Sequence, residues 1–254
     1  MSAGIEVELS SRGVATILLN RPERTNAFDQ AMLDALSGEF AARGADAATR
    51  VVVIRGAGRH FCGGADLVAR GMEPAPAAGQ VSLVDALVAL DRLPKPTIAV
   101  VHGAAVGGGA AFTACCDIVL ATDGAFFSIP EVRVGMAPLG VAPFLVRAMG
   151  HRSFRRYGLS GERFGAAEAL RVGLAHEVAA PDKVEQRLGE IVDALLHAAP
   201  GAVREMKTAM EHDATPSIAT ILARRLAHSP PKSDEAIEGV AAFKEKRKPR
   251  WYSQ

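Results

Sequence analysis

Three consecutive glycines, Gly107 to Gly109, are the residues of this chain best suited to chemistry. They stand between an apolar run, Thr97 to Val101, and an alanine-rich stretch, an order that predicts a strand, a tight turn and a helix. The first N–H groups of a helix have no partner within it, so they suit a carbonyl oxygen that gains negative charge in a reaction. The sequence therefore predicts an oxyanion-binding turn at this point.

A second glycine turn, residues 61–67, follows the strand-like run at 51–54. Its backbone would supply the second N–H that an oxyanion hole needs. The alternative is that each glycine cluster only lets a helix pack closely on a strand. Two turns of the same kind in one chain favour the oxyanion hole.

The elements that must hold these turns alternate between strand and helix. Residues 5–9 and 14–19 flank Ser11-Arg12-Gly13 and predict a hairpin, and apolar residues four apart from Phe28 to Phe40 predict a helix. Such alternation implies right-handed crossovers and a largely parallel sheet, and the chain is expected to be mostly helical after residue 141. Further helices are predicted at 82–93, 166–171, 184–197, 202–210 and 217–228, and the Pro/Ala/Gly-rich segment 71–79 is predicted to be a loop and a candidate lid.

The motifs of this chain, taken in order, resemble those of the crotonase superfamily, also called the enoyl-CoA hydratase/isomerase family. They are Asn20-Arg21-Pro22 with Asn26-Ala27, residues 61–67, Lys95-Pro96 leading to His102-Gly103 and the triple glycine, Cys116-Asp117-Ile118, Pro130-Glu131-Val132, and residues 243–248. The resemblance runs nearly end to end. It implies an α/β fold, namely a crotonase-type ββα spiral core with a helical C-terminal extension.

The resemblance also implies how the chain is organised. We expect a core domain at 1–196 and a helical C-terminal region at 197–254 that takes part in oligomerisation and completes the CoA site. In the family such segments build trimers that pair into hexamers, so a homotrimer or a homohexamer is expected.

The resemblance assigns three catalytic positions. Ala65 and Gly108 match the positions whose backbone N–H groups grip the thioester oxygen of an acyl-CoA. Glu131 matches the second of the two catalytic glutamates of the hydratases. A carboxylate beside an apolar acyl chain has its pKa raised by desolvation, which suits proton transfer near neutral pH.

Substrate-binding positions also follow from the resemblance. Arg24 and Ala27 match a loop that cups the nucleotide and pantetheine of CoA, and Phe243 and Lys246 match a C-terminal stretch that approaches the adenine and phosphates, often from an adjacent subunit. The other candidates for the substrate site are Gly64, Asp66, Leu67, Pro130 and Leu139. Asp66 is open to two interpretations: a polar group that helps activate water, or a turn or helix-cap residue.

The chain departs from the hydratase pattern at Ala111, where hydratases carry their first catalytic glutamate. In the family the water used for hydration is held by two carboxylates, whereas moving a double bond needs one base, so Ala111 favours an isomerase. Leu139 also replaces the glycine of the hydratase Gly-x-x-Pro-Gly segment and would narrow or reshape the acyl pocket. The surrounding motif, residues 137–144, looks like that of relatives that act on branched or carboxylated acyl-CoAs, some of them hydratases, so hydration with Glu131 alone stays open.

Two further alternatives stay open. One is a CoA-ester-binding homologue without chemistry, which Ala111 and Leu139 suggest and Glu131 opposes. The other is a thioester hydrolase or a decarboxylase on the same fold.

Composition and charge exclude several classes of protein. The 254 residues carry a net charge of +1, which argues against a nucleic-acid surface built on bulk charge. No apolar run approaches the ~20 residues that span a bilayer, so a soluble cytoplasmic protein is expected. The three cysteines, Cys62, Cys115 and Cys116, lack metal-site spacing and are expected to be reduced core residues. Because there is also no G-x-G-x-x-G motif, we expect no cofactor beyond the coenzyme A of the substrate.

Overall fold

The computed structural model describes residues 4–66, 80–210 and 234–252 as a mixed α/β protein. The strands are β1 (Ile5–Leu9), β2 (Val14–Leu19), β3 (Val51–Gly56), β4 (Thr97–Val101), β5 (Ala104–Val106), β6 (Ile118–Thr122), β7 (Phe126–Ser128), β8 (Phe164–Gly165) and β9 (Glu177–Ala179). The helices are α1 (Gln30–Ala45), α2 (Leu83–Asp91), α3 (Gly108–Cys115), α4 (Ala142–Ser160), α5 (Ala166–Val172), α6 (Val184–His197), α7 (Pro200–Met210) and α8 (Asp234–Lys244). Two short 3-10 helices lie at Pro22–Arg24 and Glu131–Val134.

The main sheet has six strands in the order β1-β2-β3-β4-β6-β9. Only β1 runs antiparallel to its neighbour, and its pairing with β2 confirms the predicted hairpin. The strands predicted at 51–54 and 97–101 are confirmed as β3 and β4, which pair in parallel. A smaller sheet, β5-β7-β8, stands beside the main one and leads into α3.

Side chains of the main sheet enter two apolar cores because alternate residues of a strand face opposite sides. In β3, Val52 and Ile54 join the larger core, which also contains Phe40 of α1 and Phe112 of α3. Val51 and Val53 join a second core under α6. Helices therefore cover both faces of the sheet, and α3 is buried in the larger core.

The first helix shows how local sequence places the elements. Asp29 caps α1 by accepting a hydrogen bond of 2.9 Å from the backbone N–H of Met32. The predicted stripe, with Met32, Leu36 and Phe40, is buried against the sheet. Both observations confirm the helix predicted from residues spaced four apart.

Later helices agree with the sequence, with small differences in their bounds. The helices predicted at 82–93, 166–171, 184–197 and 202–210 are confirmed as α2, α5, α6 and α7. Helix α7 begins two residues early, at Pro200, because a proline is tolerated in the first turn of a helix. The helix predicted at 217–228 and the candidate lid at 71–79 lie outside the described residues.

Two strands after residue 141 were not predicted, and the first of them, β8, pairs antiparallel with β7. Glu177–Ala179 forms β9 and pairs in parallel with β6 at the end of the main sheet. Three residues are too few to show a periodic pattern, so only the tertiary pairing identifies this strand.

The division of the chain into a core domain at 1–196 and a C-terminal region at 197–254 stays a prediction.

Candidate active site

The triple glycine forms the predicted turn between β5 and α3. Gly107 has φ 53° and ψ −118°, a conformation that residues with a side chain rarely adopt. Its N–H donates to the carbonyl oxygen of Ser128 at 2.9 Å, which ties the turn to β7. Gly108 then starts α3, and within the described residues its own N–H donates no hydrogen bond.

The second glycine turn lies against the first. Cys62 exchanges backbone hydrogen bonds with Ala104 and Val106 of β5, at 2.9 and 3.0 Å. Gly64 has φ 92°, and a Cβ at this position would lie 2.7 Å from the carbonyl oxygen of Val106 and 3.4 Å from the nitrogen of Gly108. The two turns thus meet only because Gly64 has no side chain. Ala65 follows, and its N–H also donates no hydrogen bond within the described residues.

Glu131 reaches the same corner from the other side. It is the first residue of the short helix Glu131–Val134, and its side chain is half-buried. A Cβ on Gly107 would lie 2.8 Å from Glu131 Oε1, so the carboxylate lies against the turn that begins α3. Burial raises the pKa of Glu131 from its usual 4.5, and a hydrogen bond from its own backbone opposes that rise.

The other oxygen of this carboxylate has an unusual environment. Glu131 Oε2 is buried and has no hydrogen-bond partner among the described residues. A buried carboxylate oxygen without a donor favours the protonated form. The side chain is therefore suited both to accept a proton and to return it.

The comparisons with known proteins identify the family of this chain. The family described as enoyl-CoA hydratase/isomerase matches residues 10–254. The chain belongs to the enoyl-CoA hydratase/isomerase family. It is an acyl-CoA enzyme of that family, whose members include hydro-lyases and isomerases.

Individual relatives cover almost the whole chain. YngF of Bacillus subtilis is 32% identical, with 98% of each chain covered. The mevalonyl-coenzyme A hydratase sidH of Aspergillus fumigatus is 31% identical, with 98% of this chain and 94% of that protein covered. The crystal structure of enoyl-CoA hydratase from Mycobacterium smegmatis superimposes with a TM-score of 0.90 at 31% identity, with 98% and 99% covered, which confirms the crotonase fold.

The position of the missing hydratase glutamate lies inside α3. Ala111 is fully buried, and its N–H donates to the carbonyl oxygen of Gly107 at 3.1 Å. A methyl group therefore occupies the position to which the family resemblance assigns the first hydratase glutamate, one helical turn after Gly107. Among the candidate catalytic positions of this chain, Glu131 supplies the one carboxylate.

The loop that the family resemblance assigns to CoA binding is held by Asn26, the first residue of the Asn26-Ala27 motif. Asn26 is fully buried and has φ 55°, a left-handed conformation that asparagine tolerates better than most residues. Its Nδ2 donates to the carbonyl oxygens of Ala57, His60 and Phe61, and its Oδ1 accepts from the N–H of Arg21. The Asn-Ala pair after Asn-Arg-Pro was the sequence signal for this support.

The predicted CoA-binding residues fall in two places. Ala27 is buried beside the second glycine turn, since the next residue, Phe28, donates its N–H to the carbonyl oxygen of Gly64 at 2.7 Å. Arg24 is about half-exposed at the end of the first 3-10 helix. Lys246 is exposed just after α8, and Phe243 lies within α8. The chain beyond them is anchored on α6, where Trp251 Nε1 donates to the carbonyl oxygen of His197.

Three other residues were predicted for the substrate site. Pro130 directly precedes Glu131 and is half-buried. Leu139 is 77% exposed, so in this chain its side chain meets solvent and not a closed pocket wall. Leu67 lies outside the described residues.

The histidines and cysteines near the turns have structural partners. His60 Nδ1 accepts from the N–H of Ala104, and burial lowers the pKa of His60. The Cys62 thiol donates to the carbonyl oxygen of Asn26, and burial raises the pKa of Cys62 to about 12, which excludes a thiolate nucleophile at neutral pH. All three cysteines are free, as predicted, and the described residues contain no group that could hold a metal ion.

Asp117 makes structural hydrogen bonds at the far end of α3. Its Oδ2 accepts from the backbone and hydroxyl of Thr97 at 2.8 and 2.9 Å and from Lys207 Nζ at 2.6 Å. These contacts join β4, β6 and α7.

Among the described helices, none has the length and apolar composition that crossing a membrane requires.

Proposed function

We propose that this enzyme moves the double bond of an unsaturated acyl-CoA, with Glu131 as its proton-transfer group. The observation that carries the proposal is the half-buried carboxylate of Glu131 against Gly107, in a site where position 111 is an alanine. A 1,3-proton shift needs one base that takes a proton from one carbon and returns it to another. A single carboxylate supplies both steps.

The proposed reaction assigns a step to each of these groups. Glu131 removes a proton from the carbon next to the thioester of a 3-enoyl-CoA, and the electron pair moves onto the thioester oxygen. The N–H groups of Ala65 and Gly108, which donate no hydrogen bond within the described residues, stabilise that enolate oxygen. Glu131 then returns the proton to the fourth carbon, which gives the 2-enoyl-CoA without loss or gain of atoms. Each such donor contributes about 3 kcal/mol to transition-state stability.

Hydration is the second candidate, and a named relative supports it. The protein sidH, 31% identical over nearly its full length, is named a mevalonyl-coenzyme A hydratase. In hydration, protonated Glu131 gives its proton to the second carbon while the oxygen of a water bonds to the third carbon, and the proton that this water releases passes to the Glu131 carboxylate. Because position 111 offers no second carboxylate, that water would be held by substrate groups or by Glu131 itself, which favours a branched or carboxylated acyl chain.

The remaining parts of the proposal rest on the family resemblance. The CoA moiety would be held by the loop of Arg24 and Ala27 and by Phe243 and Lys246. It is part of the substrate, and no further cofactor is required. We expect the enzyme to work as a homotrimer or a homohexamer in the cytoplasm.

One experiment separates the candidate reactions. The purified protein is incubated with 3-enoyl-, 2-enoyl- and branched unsaturated CoA esters, and products are resolved by mass and ultraviolet absorbance. Isomerisation converts the 3-enoyl ester to its conjugated isomer at unchanged mass, hydration adds the mass of one water, hydrolysis releases free CoA, and decarboxylation releases carbon dioxide. Tight binding of all esters with no turnover of any would overturn the proposal in favour of a non-catalytic CoA-ester-binding protein.

A further inference from the structure

Asp66 is a buried carboxylate directly after the oxyanion-turn residue Ala65. Only 5% of its surface is exposed. Charged side chains are rarely buried to this extent unless they are paired. Because Asp66 lies next to the turn and not inside the apolar core, we expect its ion pair to hold the turn in place.

Arg21 supplies the opposite charge. Its Nη2 lies 3.3 Å from Asp66 Oδ2 and 3.1 Å from Asp29 Oδ2, and its Nη1 donates to the carbonyl oxygen of Ala27 at 2.6 Å. The planar guanidinium therefore bridges the loop at Ala27, the cap of α1 and the oxyanion turn. Arg24 Nε is farther from the same carboxylate, at 3.9 Å, and its side chain is about half-exposed.

Backbone hydrogen bonds on either side of Ala65 fix the direction of its N–H. Phe28 donates its N–H to the carbonyl oxygen of Gly64 at 2.7 Å and accepts from the N–H of Asp66 at 2.9 Å. Successive N–H groups of an extended segment point to opposite sides, so the N–H of Ala65 is directed away from Phe28. Movement of Asp66 would therefore change the direction in which the N–H of Ala65 points.

We propose that the Arg21–Asp66 ion pair is a positioning unit that holds the N–H of Ala65 at a fixed distance from the N–H of Gly108. This inference rests on the oxyanion hole of the proposed function. In this proposal Asp66 acts through Ala65 and not by contact with the substrate or an attacking water, and its carboxylate is held by Arg21. Under this proposal Asp66 is a turn residue and not a polar group that activates water.

The kinetic test is Asp66→Asn, which keeps the shape of the side chain and removes its charge. We expect kcat to fall about 10- to 100-fold with KM changed less than about threefold, since complete removal of one oxyanion donor costs about 10²- to 10³-fold. A rise in KM at unchanged kcat would make Asp66 a substrate contact, and loss of one limb of the pH–rate profile would make it a proton-transfer group; either result overturns the inference. If Asp66→Asn does not fold, Arg21→Lys tests the same ion pair from the other side. Lysine keeps the positive charge but lacks the planar guanidinium that contacts Asp66, so the same fall in kcat is expected.

A matched control separates positioning from stability. Asp117→Asn breaks another ion pair, that with Lys207, at the opposite end of α3. We expect both variants to lower the unfolding midpoint and only Asp66→Asn to lower kcat. An equal loss of kcat in the two variants would reduce Asp66 to a general stabilising role.

A spectroscopic readout reports on the oxyanion hole itself. Butyryl-CoA carrying ¹³C at the thioester carbonyl is bound to each protein, and the carbonyl stretch is measured by infrared difference spectroscopy. We expect a lowered frequency in the wild type and in Asp117→Asn and a return toward the free value in Asp66→Asn. A wild type without any lowering would refute the oxyanion hole of the proposed function, whereas a lowering that Asp66→Asn retains would refute only the positioning role of the ion pair.

Discussion

Replacing Gly107 by alanine tests how closely Glu131 depends on the glycine turn. At φ 53° and ψ −118° a side chain strains the backbone, which we expect to cost about 1–3 kcal/mol of stability. The new Cβ would lie 2.8 Å from Glu131 Oε1, closer than real Cβ contacts, so the carboxylate must shift by a few tenths of an ångström. Since a misplacement of about 1 Å costs about 10²-fold in rate, a shift of about half that size should lower kcat about tenfold.

The matched control is Gly150→Ala. Gly150 breaks α4 with φ 74° and ψ 156°, and a Cβ there would meet no atom within 4 Å among the described residues. Both variants should lose similar stability in denaturant unfolding at pH 7. Only Gly107→Ala should lose kcat toward the CoA ester that the wild type turns over fastest.

Two results would refute this reasoning. If Gly107→Ala lost stability but kept kcat within about twofold of the wild type, the position of Glu131 would not depend on the missing side chain. If Gly150→Ala lost kcat equally, the loss would come from general strain and not from contact with the carboxylate.

Three other variants test the rest of the site. Glu131→Gln should abolish turnover with CoA-ester affinity nearly unchanged, since the amide keeps the shape but accepts no proton; wild-type kcat would exclude Glu131 as the acid/base. Burial raises the folded-state pKa of Glu131 above its usual 4.5, so the wild type loses stability as pH rises from 4.5 through the folded-state pKa. The Glu131→Gln variant should therefore unfold at a higher denaturant concentration than the wild type at pH 7, and this difference should disappear below pH ~4.5. Gly108→Val, whose Cβ would lie 2.9 Å from Leu83 Cδ2, should weaken both substrate binding and kcat, and unchanged activity in a folded protein would place the oxyanion hole elsewhere. Ala111→Glu should raise hydratase relative to isomerase activity at a cost of several kcal/mol of stability, and a stable variant with no gain in hydration would show that the shape of the acyl pocket selects the reaction.

Local patterns in the sequence determined the elements that carry the site. The turn into α3 follows from three glycines after an apolar strand, and α1 follows from the spacing of Met32, Leu36 and Phe40 after a capping aspartate. Turn chemistry, helix caps and side-chain periodicity act over fewer than about ten residues, so a single sequence contains them. The resemblance to the family added the role expected for Glu131, which its local sequence would not reveal.

Tertiary structure decided which of these elements meet. Gly64 and Gly108 are far apart in the chain, and their contact depends on the pairing of Cys62 with β5, which no local pattern encodes. The same is true of β9, whose three residues become a strand only beside β6, and of the Arg21–Asp66 pair, in which two ordinary surface residue types become partly or fully buried. Long-range pairing and burial depend on the whole packed chain, because each contact gains its stability from neighbours that are distant in sequence.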